Sequence, residues 1–159
     1  MVTGLKELEK KLTVVFPKLV EQRVKEALEK AANDVVAQMK TRAPVYAGPP
    51  EIRSDKRHKG EPVIPGALRD SIAWTWGDAP KGTVTLGAVK TSQFTKDGTT
   101  KLTIYCGDRK AFYARWVEFG TRKWKGSPFF FSTWRNNKRK VKGQLTRAIR
   151  KAIKEMGMV

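Results

Sequence analysis

The sequence predicts an α+β fold: a small, mainly antiparallel sheet packed by a long N-terminal helix and a C-terminal helix. Two long stretches carry apolar residues at helical spacing, one near each end of the chain. Between them the apolar period changes to two. Strands grouped together and flanked by helices, rather than alternating with them, favour an antiparallel sheet with its helices gathered on one face. At 159 residues the chain has the size of one domain, 1–159, and two domains would each be short of core.

The elements follow in order. Leu5, Leu8 and Leu12 suggest a short first helix over residues 4–12, with Thr3 as a possible cap. Pro17 suits the first turn of the next one. Residues 18–42 hold the strongest pattern: Val20, Val24, Leu28, Ala31, Val35 and Met39 recur every three or four positions, while Glu21/Lys25 and Glu26/Lys30 pair on the outer face. Pro44 closes this helix. Residues 47–65 contain Pro49, Pro50, Pro62, Pro65, Gly48 and Gly60 around a polar run from Arg53 to Lys59, and read as a mobile loop. Strands are expected at Ile72–Trp76, Thr83–Val89 and Lys101–Cys106, with a polar hairpin loop from Thr91 to Thr100 around Asp97-Gly98. Trp74 and Trp76 share one strand face. Tyr113, Trp116 and Val117 fit a short helix that Gly120 could end in a left-handed conformation. From Ser132 to Met156 a second amphipathic helix buries Val141, Leu145, Ala148/Ile149, Ala152/Ile153 and Met156, with Gly143 weakening its middle.

Charge is the first clue to function. The chain has 33 Lys+Arg against 15 Asp+Glu, a formal net charge of +18. Residues 109–159 carry 15 of the basic side chains and only two acids, Glu118 and Glu155. In the last helix Lys138, Arg139, Lys140, Lys142, Arg147, Arg150, Lys151 and Lys154 face a single acid. Three readings stay open for this face: acidic neighbours in an assembly, DNA phosphates held by counterion release, or a solvated helix.

Catalytic patterns are absent. His58, the only histidine, sits in the proline-rich loop between Arg57 and Lys59, a poor place for a general base. Cys106 is the only cysteine, so no internal disulfide and no Cys/His metal framework is expected. There is no phosphate-binding Gly-x-x-x-x-Gly-Lys-Ser/Thr loop, no apolar run long enough for a membrane span, and no secretion segment at Met1–Lys11. No cofactor, no metal and no membrane contact are expected, and the composition suits a soluble protein in a reducing cytoplasm.

Three segments carry a family resemblance. These are Arg42-Ala43-Pro44-Val45, then Gly66-Ala67-Leu68-Arg69-Asp70-Ser71-Ile72, then Tyr113-Ala114-Arg115-Trp116-Val117-Glu118-Phe119-Gly120-Thr121 followed by Pro128-Phe129. In this order they resemble the tail-completion, or head-to-tail joining, proteins of long-tailed bacteriophages. The motif positions are Pro44, Leu68, Arg69, Ser71, Tyr113, Glu118, Gly120, Thr121, Pro128 and Phe129. Family members run almost directly from the Ala-Pro-Val to the Leu-Arg-x-Ser-Ile, whereas here residues 46–66 intervene.

The resemblance implies a structural virion-assembly protein at the neck. Such a protein completes the tail and helps join it to the head, through contacts with other tail and connector proteins and with its own copies in a ring. It implies a virion location, with the host cytoplasm during assembly. Contact with phage DNA is a further partner to consider, and a tail terminator ring protein and a basic nucleic-acid-binding module are the alternatives. Glu118, between apolar Val117 and Phe119, reads either as a partly buried carboxylate pinning the Gly120-Thr121 turn or a subunit contact, or as a local ion pair with Arg115, Arg122 or Lys123.

Overall fold

The computed structural model describes residue 13 and residues 15–48, 51–52, 59–85, 89–91 and 100–155. Its elements are α1 (Phe16–Arg42), α2 (Ala67–Asp70), β1 (Ala73–Trp76), β2 (Val84–Thr85), β3 (Val89–Thr91), β4 (Thr100–Cys106), α3 (Ala114–Phe119) and α4 (Phe130–Glu155). The expected helix at 4–12, residues 49–50 and 53–58 of the 47–65 loop with His58 among them, residues 86–88 of the expected second strand, most of the 91–100 hairpin loop and Met156 lie outside the described residues.

Helix α1 begins with proline in its first turn and ends where Ala43 turns extended, its N–H still bonded to the Met39 carbonyl at 2.9 Å. That extended conformation is what a residue before proline adopts. The whole expected stripe is buried, from Val20 through Val24, Leu28, Ala31 and Val35 to Met39. It faces α4 and the sheet, and one cluster of apolar side chains joins all three.

In the sheet β4 is central. β1 pairs antiparallel on one side, with Trp74 opposite Ile104 and Trp76 opposite Leu102. β2 and β3 share the other side, β2 against Tyr105 and Cys106, β3 against residues 100–102. The strand expected at Thr83–Val89 is therefore two short pairings whose registers differ by one residue. Leu102, Ile104 and Cys106 alternate into the core as the period of two requires. The indole N–H groups of Trp74 and Trp76 reach over to α1, donating to Asn33 at 2.8 Å and Glu29 at 3.2 Å. Both tryptophans thus lie on the helix-covered face, half-buried.

Three details depart from expectation. Residues 67–70 form a one-turn helix, too short to show a period, entered through Gly66 at φ 80°. Thr103, which the period of two turns away from the face of Leu102 and Ile104, is nevertheless only 4% exposed and donates to the Gly77 carbonyl at 2.6 Å. The C-terminal helix starts earlier, at Phe130, and its buried face runs through two polar residues, Thr133 and Asn137. Thr133 accepts from Arg42 at 3.3 Å and donates to the Phe129 carbonyl at 2.6 Å. Asn137 donates to Gln38 of α1 at 2.8 Å and to the Thr133 carbonyl at 3.0 Å. Buried polar groups partnered this way cost little, so the interface between α1 and α4 tolerates them.

Candidate functional site: an apolar groove at the motif segments

The three motif segments, far apart in sequence, meet in space. Each is held by its own local device. In the second, Gly66 supplies the positive φ that enters α2, and Leu68 and Ile72 are buried. Between them Ser71 is a clasp. Its hydroxyl donates to the Leu68 carbonyl at 2.7 Å and accepts the Gly107 N–H at 3.0 Å, tying α2 to the end of β4. Arg69 points outward and pairs with Asp70 at 3.0 Å.

The third segment holds the most constrained geometry. Asp108 accepts the N–H groups of Lys110 and Ala111 at 2.8 and 2.6 Å and sets the turn before α3. Glu118, near the end of α3, is 3% exposed. Its carboxylate accepts the N–H groups of Phe129, Phe130 and Phe131, each at 2.9 Å. Those are orphan donors at the start of α4, which no intrahelical carbonyl can satisfy. A negative charge there is also favoured by the helix dipole. Glu118 is thus the cap of the long C-terminal helix, supplied from another element. The surface ion pair considered for it with Arg115, Arg122 or Lys123 does not form.

The chain between Glu118 and Phe129 is folded back on itself. Gly120 ends α3 at φ 81° and ψ −174°. This is a region open to glycine alone and not the left-handed helical cap that was expected. A Cβ on Gly120 would meet the Gly126 nitrogen at 2.5 Å and the Trp124 carbonyl at 2.7 Å, and a Cβ on Gly126 would press on Phe119 and Glu118 backbone. Thr121 and Trp124 exchange backbone hydrogen bonds at 2.8 and 3.3 Å, and Ser127 donates to the Val117 carbonyl at 2.7 Å. Pro128 then leads into α4, and Phe129 and Phe130 enter the core.

Against this scaffold lies a groove of about 400 Å³. Pro44, Val45 and Tyr46 form one wall, Val63, Gly66 and Leu68 another, and Tyr113, Val117 and Trp124 the third. Each of the three motif segments contributes. Trp124 in the third wall is 50% exposed, and α3 carries two more large exposed apolar side chains outside the groove, Trp116 at 51% and Phe119 at 62%. Phe119 borders a second hollow of about 350 Å³ with Glu118, Pro128, Phe131 and Arg135. Sequence reasoning picked out Pro44, Leu68 and Tyr113 singly but gave no sign that they line one groove. Of the other motif positions, Arg69, Thr121 and Pro128 are exposed, and Ser71, Glu118, Gly120 and Phe129 hold the backbone in place.

The groove is apolar and holds no reactive set. Among the described residues no group of three or more His, Cys, Asp or Glu side chains could hold a metal ion. Burial pushes the Cys106 thiol up to about 12, partly offset by the Ser71 hydroxyl, so it is inert at neutral pH. Among the described residues no helix is long and apolar enough to cross a membrane.

Residues 6–120 match the family model described as "Bacteriophage HK97-gp10, putative tail-component". The chain belongs to this family. It is a phage tail component, which places it in the virion and in contact with other phage proteins. The match takes in every wall of the groove except Trp124, together with exposed Trp116 and Phe119, and stops ahead of α4. No curated protein and no solved structure matches the chain.

Proposed function

We propose that this tail component acts at the neck of the virion, completing the tail and helping to join it to the head by protein docking, without catalysis. The observation that carries this reading is the convergence of Pro44, Leu68 and Tyr113 on one apolar groove, with exposed Trp124 in its wall and exposed Trp116 and Phe119 on α3, which also supplies Val117 to the groove. Aromatic anchors beside an apolar recess are what a protein interface puts at its centre, and exposed patches of this kind mark interaction sites. The scaffold beneath is stiff, because Glu118 and the Gly120/Gly126 crossing fix α3 relative to α4.

The chain works as one domain, 1–159, whose copies associate in a ring around the tail end and meet connector proteins through this face. Residues 47–65 belong to the docking element. Their described base is tied by Ile52 pairing with Pro62 and by the Val63 N–H on the Glu51 carbonyl at 2.9 Å, beside the groove wall at Val63. Assembly takes place in the host cytoplasm.

Imaging particles made without the chain tests this directly. Separate filled heads and separate tails are expected; intact, infectious virions would refute the reading.

A further inference from the structure

The outward face of α4 differs in kind from the groove. Of its 26 residues, 12 are exposed; nine of these are Arg135, Lys138, Arg139, Lys140, Lys142, Arg147, Arg150, Lys151 and Lys154, and the others are Asn136, Thr146 and Glu155. No exposed position is apolar. Among the described residues, Lys140 alone of the nine is in an ion pair, with Asp34 at 3.7 Å. Glu155 is itself held by Arg23 of α1 at 3.1 Å. Among the described residues the other eight cations therefore have no acidic partner.

These eight are arranged in two quartets. Arg135, Lys138, Arg139 and Lys142 have the spacing that places side chains on one strip of a helix, and Arg147, Arg150, Lys151 and Lys154 repeat it 12 residues on. Twelve residues advance a helix by about 18 Å and turn it by about 120°. The two strips thus lie on opposite flanks of the exposed side, one in each half of α4.

We propose that the outward face of α4 binds the phosphate backbone of duplex DNA, each quartet meeting one of the two strands that border a groove. A helix with its side chains is about 10–12 Å across, and the major groove about 12 Å wide. Cations on opposite flanks are what such a fit requires. An acidic protein partner fits less well, since interface cores, though enriched in arginine, are depleted in lysine and built on aromatic anchors; half of these eight cations are lysines and no exposed residue of α4 is aromatic. Single-stranded nucleic acid would call for exposed stacking residues, whereas Trp134 is half-buried against the core. The inference does not rest on the neck assignment, nor on the family match, whose residues end at 120.

The test is a salt titration of full-length protein on a fluorescent random-sequence duplex. Each quartet is replaced in turn by glutamine, as Arg135→Gln, Lys138→Gln, Arg139→Gln, Lys142→Gln and as Arg147→Gln, Arg150→Gln, Lys151→Gln, Lys154→Gln. A control removes four exposed charges elsewhere, as Lys18→Gln, Lys25→Gln, Lys30→Gln, Lys81→Gln. All positions are exposed and glutamine is a good helix former, and circular dichroism checks the fold. For wild type, log affinity should fall steeply with log salt. Each quartet variant should bind at least tenfold more weakly, with a slope shallower by about 0.9 for each phosphate no longer neutralised, while the control stays within about twofold on the same counting. Equal weakening by the control would overturn the proposal by showing that only net charge matters. So would tighter binding to single strands, equal binding to polyglutamate, or no duplex binding at low salt.

Discussion

The groove face and the outward face of α4 adjoin, yet they follow opposite rules. Around the groove the backbone is pinned atom by atom: three N–H groups on one buried carboxylate, two glycines packed together across a turn, a serine clasping α2 to β4. On it stand large apolar side chains in the open. The face of α4 has no such fixed points beyond its helical geometry, and displays long flexible cations. A surface that must recognise a shaped partner needs rigid anchors, because ordering side chains on binding costs affinity. A surface that meets a uniform polyanion needs only the charge and its spacing. Under the two proposals, a single chain separates shape recognition from charge recognition, on neighbouring elements.

The comparison is broken most severely at Glu118. Glu118→Ala leaves three backbone donors buried without an acceptor, and a loss on the order of 3 kcal/mol is expected. It should appear as a lower urea midpoint at unchanged slope, with Glu118→Gln intermediate because its amide keeps one acceptor oxygen. Gly120→Ala comes next, at about 2 kcal/mol, since its backbone region excludes other residues and the new methyl would strike Gly126 and Trp124. Both should loosen the groove as well as the fold.

The two faces separate most sharply in the double variant Trp116→Ala, Phe119→Ala. Both side chains are more than half exposed, with one ring contact each among the described residues, Trp116 to Phe112 and Phe119 to Phe131, so the unfolding free energy should fall by only about 1–2 kcal/mol. Affinity for the tail or connector partner should fall by about 2 kcal/mol or more, roughly 30-fold. Binding to duplex DNA should not change.

The smallest effect is expected at Cys106. Its thiol ordinarily titrates near 9.0 and in the fold at about 12. Between those values the folded chain keeps a proton the unfolded chain has lost, so stability falls as pH rises through that window. Relative to Cys106→Ala, wild type should lose stability faster from about pH 8 to about pH 10 in urea titrations. Equal slopes would mean that the thiol is not desolvated.

Much of this was legible in the sequence, and what was not has physical reasons. The α1 stripe from Val20 to Met39 and the alternation of Leu102, Ile104 and Cys106 reflect periods that burial imposes on regular structure, so they can be read directly. Thr133 and Asn137 escaped because hydropathy marks them as surface. Their partners, Arg42 and Gln38, lie 91 and 99 residues away. Glu118 was rightly suspected of burial, but its partners are backbone amides, which carry no residue identity. The basic residues near it in sequence suggested a pairing that does not occur. The groove was invisible for a related reason. Pro44, Leu68 and Tyr113 belong to three separate segments, and only the packing of α2 and α3 near the end of α1 brings them together.

Docking through the groove face is the central claim. The direct measurement mixes purified wild-type or Trp116→Ala, Phe119→Ala, Trp124→Ala protein with heads and tails made without the chain, then counts joined particles by electron microscopy. The account predicts joining with wild type and almost none with the folded triple variant. Equal joining by the two proteins would contradict it.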